Sequence, residues 1–221
     1  MIEVISITLV IIGALIGAGF ASGQEIFSFF YIYGKNGIYG ILIMSILIGI
    51  FIYKSLKIIY QKQVYNYNDF LNLFIKNTKI RNVILWIVNV LLLVSFYIMV
   101  AGFGAYFEQE IGINRIIGSI VLNLLCVIVF FSNIKGVLKA SNLIVPFLIF
   151  FIFFIGIKNI VQIRTIDFYQ MKNNWILSML IYNSYNFILL MPVLISLKKQ
   201  ITKEKNIKKV SILVTIIISS N

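Results

Sequence analysis

Long apolar runs, separated by short polar and mostly basic segments, dominate this sequence. A helix needs about 20 apolar residues to cross a hydrocarbon core of about 30 Å. The pattern therefore predicts an all-α, polytopic membrane protein, with residues 1–221 forming a single transmembrane domain of six full spans and a partial seventh. The predicted spans are Val4–Tyr33, Gly37–Tyr53, Val83–Phe107, Ile113–Phe131, Val137–Ile157, Trp175–Leu197 and the partial Val210–Asn221.

The last apolar run, Val210–Asn221, is too short to cross a membrane alone. At a rise of about 1.5 Å per residue, it reaches only roughly 18 Å. We therefore expect the chain to end inside a membrane helix, as a truncated product or a fragment of a longer protein.

Composition supports a membrane location. The chain is 61% hydrophobic and only 12% charged, whereas soluble domains carry about a quarter charged residues. The net charge of +12 is typical of basic cytoplasmic loops, so we expect no nucleic-acid partner. Fourteen of the 19 basic residues fall in loops on the N-terminal side of the predicted topology. This predicts a multi-pass protein of the cell membrane with a cytoplasmic N-terminus.

Residue types that carry much enzyme chemistry are scarce. The chain has no histidine and a single cysteine, Cys126, which lies in an apolar run. An intrachain disulfide and a histidine-based metal site are therefore excluded. No phosphate-binding glycine loop or nucleophile–base pair is present. We expect no enzyme activity, no metal site and no cofactor.

The first span carries a glycine-rich stretch near its middle, Gly17 to Glu25. Glycine costs about 1 kcal/mol against alanine inside a helix, so the stretch predicts a break between half-helices Val4–Ile16 and Gly23–Tyr33. Ser22 and Glu25 have the spacing of a capping box, which predicts that the second half-helix restarts at Ser22. The alternative is an unbroken helix with a packing stripe of small residues, Gly13, Gly17 and Ala21.

Glu25 is the only acidic residue inside a predicted span. A carboxylate at membrane depth is costly and often functional. It is either a proton or cation site or a capping residue satisfied by backbone amides, and the sequence leaves both open.

Five consecutive hydrogen-bonding side chains, Tyr182 to Asn186, lie at the centre of the sixth span. They predict a second discontinuous helix lining a polar cavity. The alternative is hydrogen bonding between packed helices. Interrupted spans at corresponding positions of two halves point to a transporter site, and these two lie five spans apart.

Two further segments, Asn68–Ile75 and Ile160–Tyr169, combine apolar and polar residues between spans. Each is either a short helix on the membrane surface or an ordinary loop.

The stretch IGAGFASGQEIFSFF (Ile16–Phe30), with IYNSYN (Ile181–Asn186), resembles the YkvI-type family of bacterial membrane proteins. The resemblance implies membership of the amino acid–polyamine–organocation superfamily, with a LeuT-like inverted-repeat bundle. This chain would supply the first repeat and the start of the second, with broken first and sixth helices.

By this resemblance, the protein is a secondary transporter of a small solute, such as an amino acid or amine, working by alternating access with Na⁺ or H⁺ coupling. The alternatives are a non-transporting, ligand-sensing receptor on the same fold and an inactive truncated fragment. The expected substrate-binding residues are Gly17, Ala18, Gly19, Ser22, Gly23, Glu25, Tyr182, Asn183, Ser184 and Asn186.

Overall fold

The computed structural model describes residues 2–17, 23–162 and 173–220, and the regular secondary structure of these residues is helical. The α-helices of the described residues are α1 (Ile2–Leu15), α2 (Gln24–Ile26), α3 (Lys35–Gln61), α4 (Tyr67–Asn72), α5 (Thr78–Tyr106), α6 (Arg115–Phe131), α7 (Asn133–Gln162), α8 (Trp175–Ser196) and α9 (Glu204–Ser220). Two of them continue into a π-helical turn, α2 at Phe27–Tyr31 and α5 at Phe107–Ile111, and α8 ends in a 3-10 turn, Leu197–Gln200.

Within the described part of the chain, four helical stretches are long and apolar enough to cross a membrane. The first half of the first span and the whole fourth span correspond to shorter apolar helices, α1 and α6. Large apolar side chains on these helices, such as Trp86 and Phe130, are mostly exposed in the isolated chain, as expected where lipid replaces water. The four long stretches are Lys35–Gln61, Thr78–Ile111, Asn133–Lys158 and Trp175–Gln200.

One compact unit comprises Met1–Asn66 and Ser141–Asn221. In it, α3 packs against α8 and α9, and α1 packs against the same two helices. The ring of Phe51 on α3 stacks on that of Phe187 on α8, with centroids 4.0 Å apart. Small residues set the close approaches: a Cβ at Gly49 would overlap the Thr215 side chain of α9.

The N-terminal end of α1 is hydrogen-bonded to the start of α9 and to the residue Thr202 just before it. Glu3 accepts hydrogen bonds from the Thr202 backbone N–H (2.9 Å), the Thr202 hydroxyl (2.6 Å) and the Asn206 amide (3.2 Å). Burial alone would raise the pKa of Glu3, but these hydrogen bonds hold that pKa below its ordinary value. Glu3 precedes the first predicted span, so this contact lies at its end.

The second unit, Tyr67–Ala140, is built on a helical hairpin of α5 and α6. Asn77 caps α5 by accepting hydrogen bonds from the Lys79 and Ile80 N–H groups. Asn114 caps α6 in the same way through the Ile116 N–H. The short helix α4 covers residues 68–72, the first five residues of the predicted segment Asn68–Ile75, so the helical alternative holds for that part. Residues 163–169 of the other segment lie outside the described residues.

Candidate functional site

The predicted break in the first span is confirmed on both sides of the glycine-rich stretch. Helix α1 ends at Leu15, and neither Ile16 nor Gly17 is helical. The next residue that the structure describes is Gly23, and its φ of +76° lies in the left-handed region that favours glycine. Ala18, Gly19 and Ser22 lie outside the described residues.

The alternative, a packing stripe of Gly13, Gly17 and Ala21, can be compared at its first two members, since Ala21 lies outside the described residues. A Cβ at Gly13 would approach the Val145 side chain within 2.8 Å, whereas one at Gly17 would meet no described atom within 4 Å. Gly13 therefore serves close packing, whereas no neighbour among the described residues requires a glycine at position 17.

The predicted helix restart at Ser22 is wrong. The structure places the N-cap at Gly23, without a side-chain capping bond, and α2 begins at Gln24. The physical reason is the left-handed φ of Gly23, which turns the chain immediately before the helix. The Glu25 carboxylate faces Tyr182 of α8.

The predicted break in the sixth span is also wrong. Helix α8 runs unbroken through Tyr182–Asn186. Two polar side chains bond to carbonyls one turn earlier in the same helix: Ser184 donates to Leu180 O (2.8 Å) and Asn186 donates to Tyr182 O (2.9 Å). Serine and asparagine satisfied in this way are compatible with a regular helix.

One hydrogen bond joins the two predicted site segments. The Tyr182 hydroxyl donates to Glu25 Oε2 at 3.1 Å. Tyr182 is buried, and its ring packs against Phe29 and Phe30 with centroids 5.1 and 5.3 Å away. The Ser178 hydroxyl of α8 donates a second hydrogen bond, to Phe29 O at 3.0 Å. These contacts hold the half-helix after the break against the middle of α8.

Among the predicted site residues that the structure describes, Asn183 is the one with buried side-chain atoms that lack a hydrogen-bond partner. Its side chain is 2% exposed, yet neither its amide nitrogen nor its amide oxygen has a hydrogen-bond partner among the described residues. Leaving a buried amide unpaired costs about 1–3 kcal/mol. The neighbouring Ser184 is exposed and bonded within its own helix, so the structure does not bring it to the Glu25–Tyr182 contact.

Two spaces lie next to residues that pack around this contact, although Glu25 itself lines neither of them. A small cavity with room for about one water molecule, about 10 Å³, is bounded by residues that include Ile16, Tyr182 and Asn186. An open depression of about 640 Å³ reaches Phe29, Ser178 and Asn174. The Phe29 and Tyr182 rings pack against each other, and each ring borders one of these two spaces.

Sequence reasoning missed Phe29 and Ser178. Both belong to the surroundings of the site because one packs on Tyr182 and the other bonds to the π-helical turn. Phe29 lies within the quoted IGAGFASGQEIFSFF stretch, so the motif itself was a usable signal. A lone serine one turn before Tyr182 carries no comparable signal.

Comparison with known proteins gives one informative relative. Over 228 residues the chain is 29% identical to the uncharacterized membrane protein YkvI of Bacillus subtilis (strain 168). The similarity supports a YkvI-type membrane protein. It covers 96% of this chain and 63% of the relative, so the chain spans less than two thirds of that protein's length. No family model matches the chain, and no solved structure matches it.

Proposed function

We propose that the protein is a secondary transporter of a small solute, an amino acid or an amine-like compound, and not an enzyme. The observation that carries the proposal is the hydrogen bond from Tyr182 to Glu25, formed where a broken first helix meets α8. The two segments joined by this bond also carry non-helical backbone at Ile16 and Gly17 and, at Asn183, a buried amide without a hydrogen-bond partner among the described residues. Irregular backbone and ionisable groups at membrane depth are typical of solute pathways.

Electrostatics favours a positively charged partner for Glu25, either on the solute or as a coupling ion. Among the described residues, Glu25 forms no ion pair and has Tyr182 as its hydrogen-bond donor. A carboxylate inside a membrane needs a proton or a cation to offset its charge. An ammonium group of the solute, a coupling Na⁺ or a coupling H⁺ would each supply this, and Asn183 would gain the hydrogen bonds that it lacks.

The arrangement of the two spaces fits alternating access. The cavity beside Tyr182 is too small for a solute, whereas the depression beside Phe29 is open. In the proposed cycle, separation of the Phe29 and Tyr182 rings opens the site to the depression, and their contact closes it. The LeuT-like inverted-repeat fold, the cell-membrane location and the cytoplasmic N-terminus belong to the same proposal.

Uptake into proteoliposomes tests the proposal. The purified protein is assayed with a panel of labelled amino acids and polyamines, with and without Na⁺ and pH gradients. We expect saturable uptake of at least one compound, and Glu25→Gln should lower it at least tenfold. Glu110→Gln, which alters an exposed carboxylate outside the site, is the matched control and should retain uptake.

The outcomes separate the competing functions. Saturable binding without flux would favour a ligand-sensing receptor on the same fold. Equal uptake by the Glu25→Gln variant and the parent at every pH would remove Glu25 from the site and refute the geometry on which the proposal is based.

A further inference from the structure

A second site lies away from the Glu25–Tyr182 contact, in a groove between α3 and α9. The groove has a volume of about 530 Å³ and opens outward from the protein. Thr215 of α9 lies so close to Gly49 of α3 that a Cβ on this glycine would overlap it. This close approach forms the floor of the groove. The walls are four isoleucines, all partly exposed: Ile46, Ile50, Ile212 and Ile216.

One end of the groove is basic and aromatic. Lys208 and Tyr53 line it, and the Lys57 ammonium lies 5.9 Å from the centroid of the Tyr53 ring. Glu204 lies one turn before Lys208, and its Oε1 accepts a hydrogen bond from the Gln61 amide at 2.8 Å. Two ammonium groups therefore lie near the groove end, and the one nearby carboxylate on α9 is bonded to the end of α3.

The depth of this end matches a membrane interface. Helix α3 begins at Lys35, and 18 residues separate it from Tyr53, a rise of about 27 Å. This is close to the hydrocarbon thickness of about 30 Å. Tyrosine and lysine are typical of the headgroup level, so the basic end lies at the headgroups and the isoleucine walls lie among the acyl chains.

We propose that this groove is a binding site for an anionic phospholipid. One acyl chain lies between the isoleucine walls over Gly49, and the phosphate of the headgroup lies between Lys208 and Lys57. Charge complementarity selects the occupant, because a purely apolar partner would leave both ammonium groups uncompensated and a zwitterionic lipid would offset them less. The proposal depends on the membrane placement of α3 and α9 and not on solute transport.

Native mass spectrometry tests the proposed lipid site. The detergent-purified protein is mixed with phosphatidylglycerol or with phosphatidylcholine of identical acyl chains, and the lipid that it retains is measured. The parent protein should retain phosphatidylglycerol preferentially. Lys208→Gln should lower that retention about fivefold, which corresponds to the roughly 1 kcal/mol contributed by one lysine near an anionic surface. Lys205→Gln removes an exposed lysine of the same helix that does not line the groove, and it should retain the preference.

A second pair of variants fills the groove. Ile212→Trp should lower retention of both lipids, and Ile50→Trp should do the same from the opposite wall. Both positions are close to half exposed, so the larger ring projects outward and not into the core. Circular dichroism confirms that each variant keeps its helical content.

Several results would overturn the site. Equal losses in the Lys208 and Lys205 variants would mean general charge attraction and no specific site. Equal retention of the two lipids by the parent would mean that headgroup charge does not select the occupant. Unchanged retention in both tryptophan variants would place the lipid elsewhere. A shift in oligomeric state caused by the tryptophans, with lipid retention unaffected, would assign the groove to a second copy of the chain.

Discussion

The free energy contributed by the hydrogen bond between Tyr182 and Glu25 can be measured directly, without knowledge of the solute. Tyr182→Phe removes the hydroxyl but keeps the ring that packs on Phe29 and Phe30. Glu25→Gln removes the charge and keeps the shape. The double variant completes a thermodynamic cycle in which the coupling energy isolates this one contact.

The expected coupling follows from the geometry. Hydrogen bonds to charged groups contribute about 1.5–3 kcal/mol to stability, and an ideal O–H···O⁻ distance is about 2.5–2.7 Å. The observed distance of 3.1 Å is longer, which lowers the expected value. Hydrogen bonds between membrane helices average about 0.6 kcal/mol, with a maximum near 1.7 kcal/mol. We therefore expect a coupling energy of about 1 kcal/mol.

Reversible unfolding in mixed detergent micelles, followed by circular dichroism, measures the four free energies of unfolding. The control cycle pairs Tyr182→Phe with Ser196→Ala. Ser196 bonds to Val193 O and lies 14 residues along α8, a distance of about 21 Å. Its effect should add to that of Tyr182→Phe within about 0.5 kcal/mol. A Tyr182–Glu25 coupling no larger than that of the control would show that the two side chains do not interact in the folded protein.

Three further predictions concern other contacts. Glu3→Gln should lower the melting temperature at pH 7, and the difference should disappear as the pH falls through the depressed folded-state pKa of Glu3. The ionised Glu3 carboxylate stabilises the fold at pH values above its ordinary pKa of about 4.3, and this stabilisation is lost below its folded-state pKa. A difference in melting temperature that persists at low pH would contradict this prediction. Gly49→Val should lower the free energy of unfolding by about 1–3 kcal/mol, because its Cβ would overlap Thr215. Thr215→Ala should recover part of this loss in a chemical unfolding series, and no recovery would exclude Thr215 as the cause. Asn183→Leu should raise the free energy of unfolding by about 1 kcal/mol, since it removes a buried amide that has no hydrogen-bond partner among the described residues, and it should abolish uptake. A loss of stability would indicate that the amide is satisfied in the folded protein.

Part of the candidate site could be predicted from residue type alone. Three glycines within seven residues interrupt an apolar run, and because glycine weakens a helix wherever it lies in the chain, the break after Leu15 follows from local preference. The same reasoning failed for Tyr182–Asn186. Polar residues there suggested unwinding, but Ser184 and Asn186 bond to carbonyls of their own helix, a rotamer choice that sequence reasoning did not anticipate.

The sequence by itself determined the helices, the apolar surfaces suited to lipid and the interruption of the first span, because hydrophobic length and glycine content act locally. Only the tertiary structure decided that Glu25 meets Tyr182, that Asn183 is buried without a described partner, and that α3 and α9 leave a groove with a basic end. These facts depend on contacts between residues that are distant in sequence. Glu25 and Tyr182, for example, are 157 positions apart. That pairing is set by the packing of whole helices and has no signature in either segment alone.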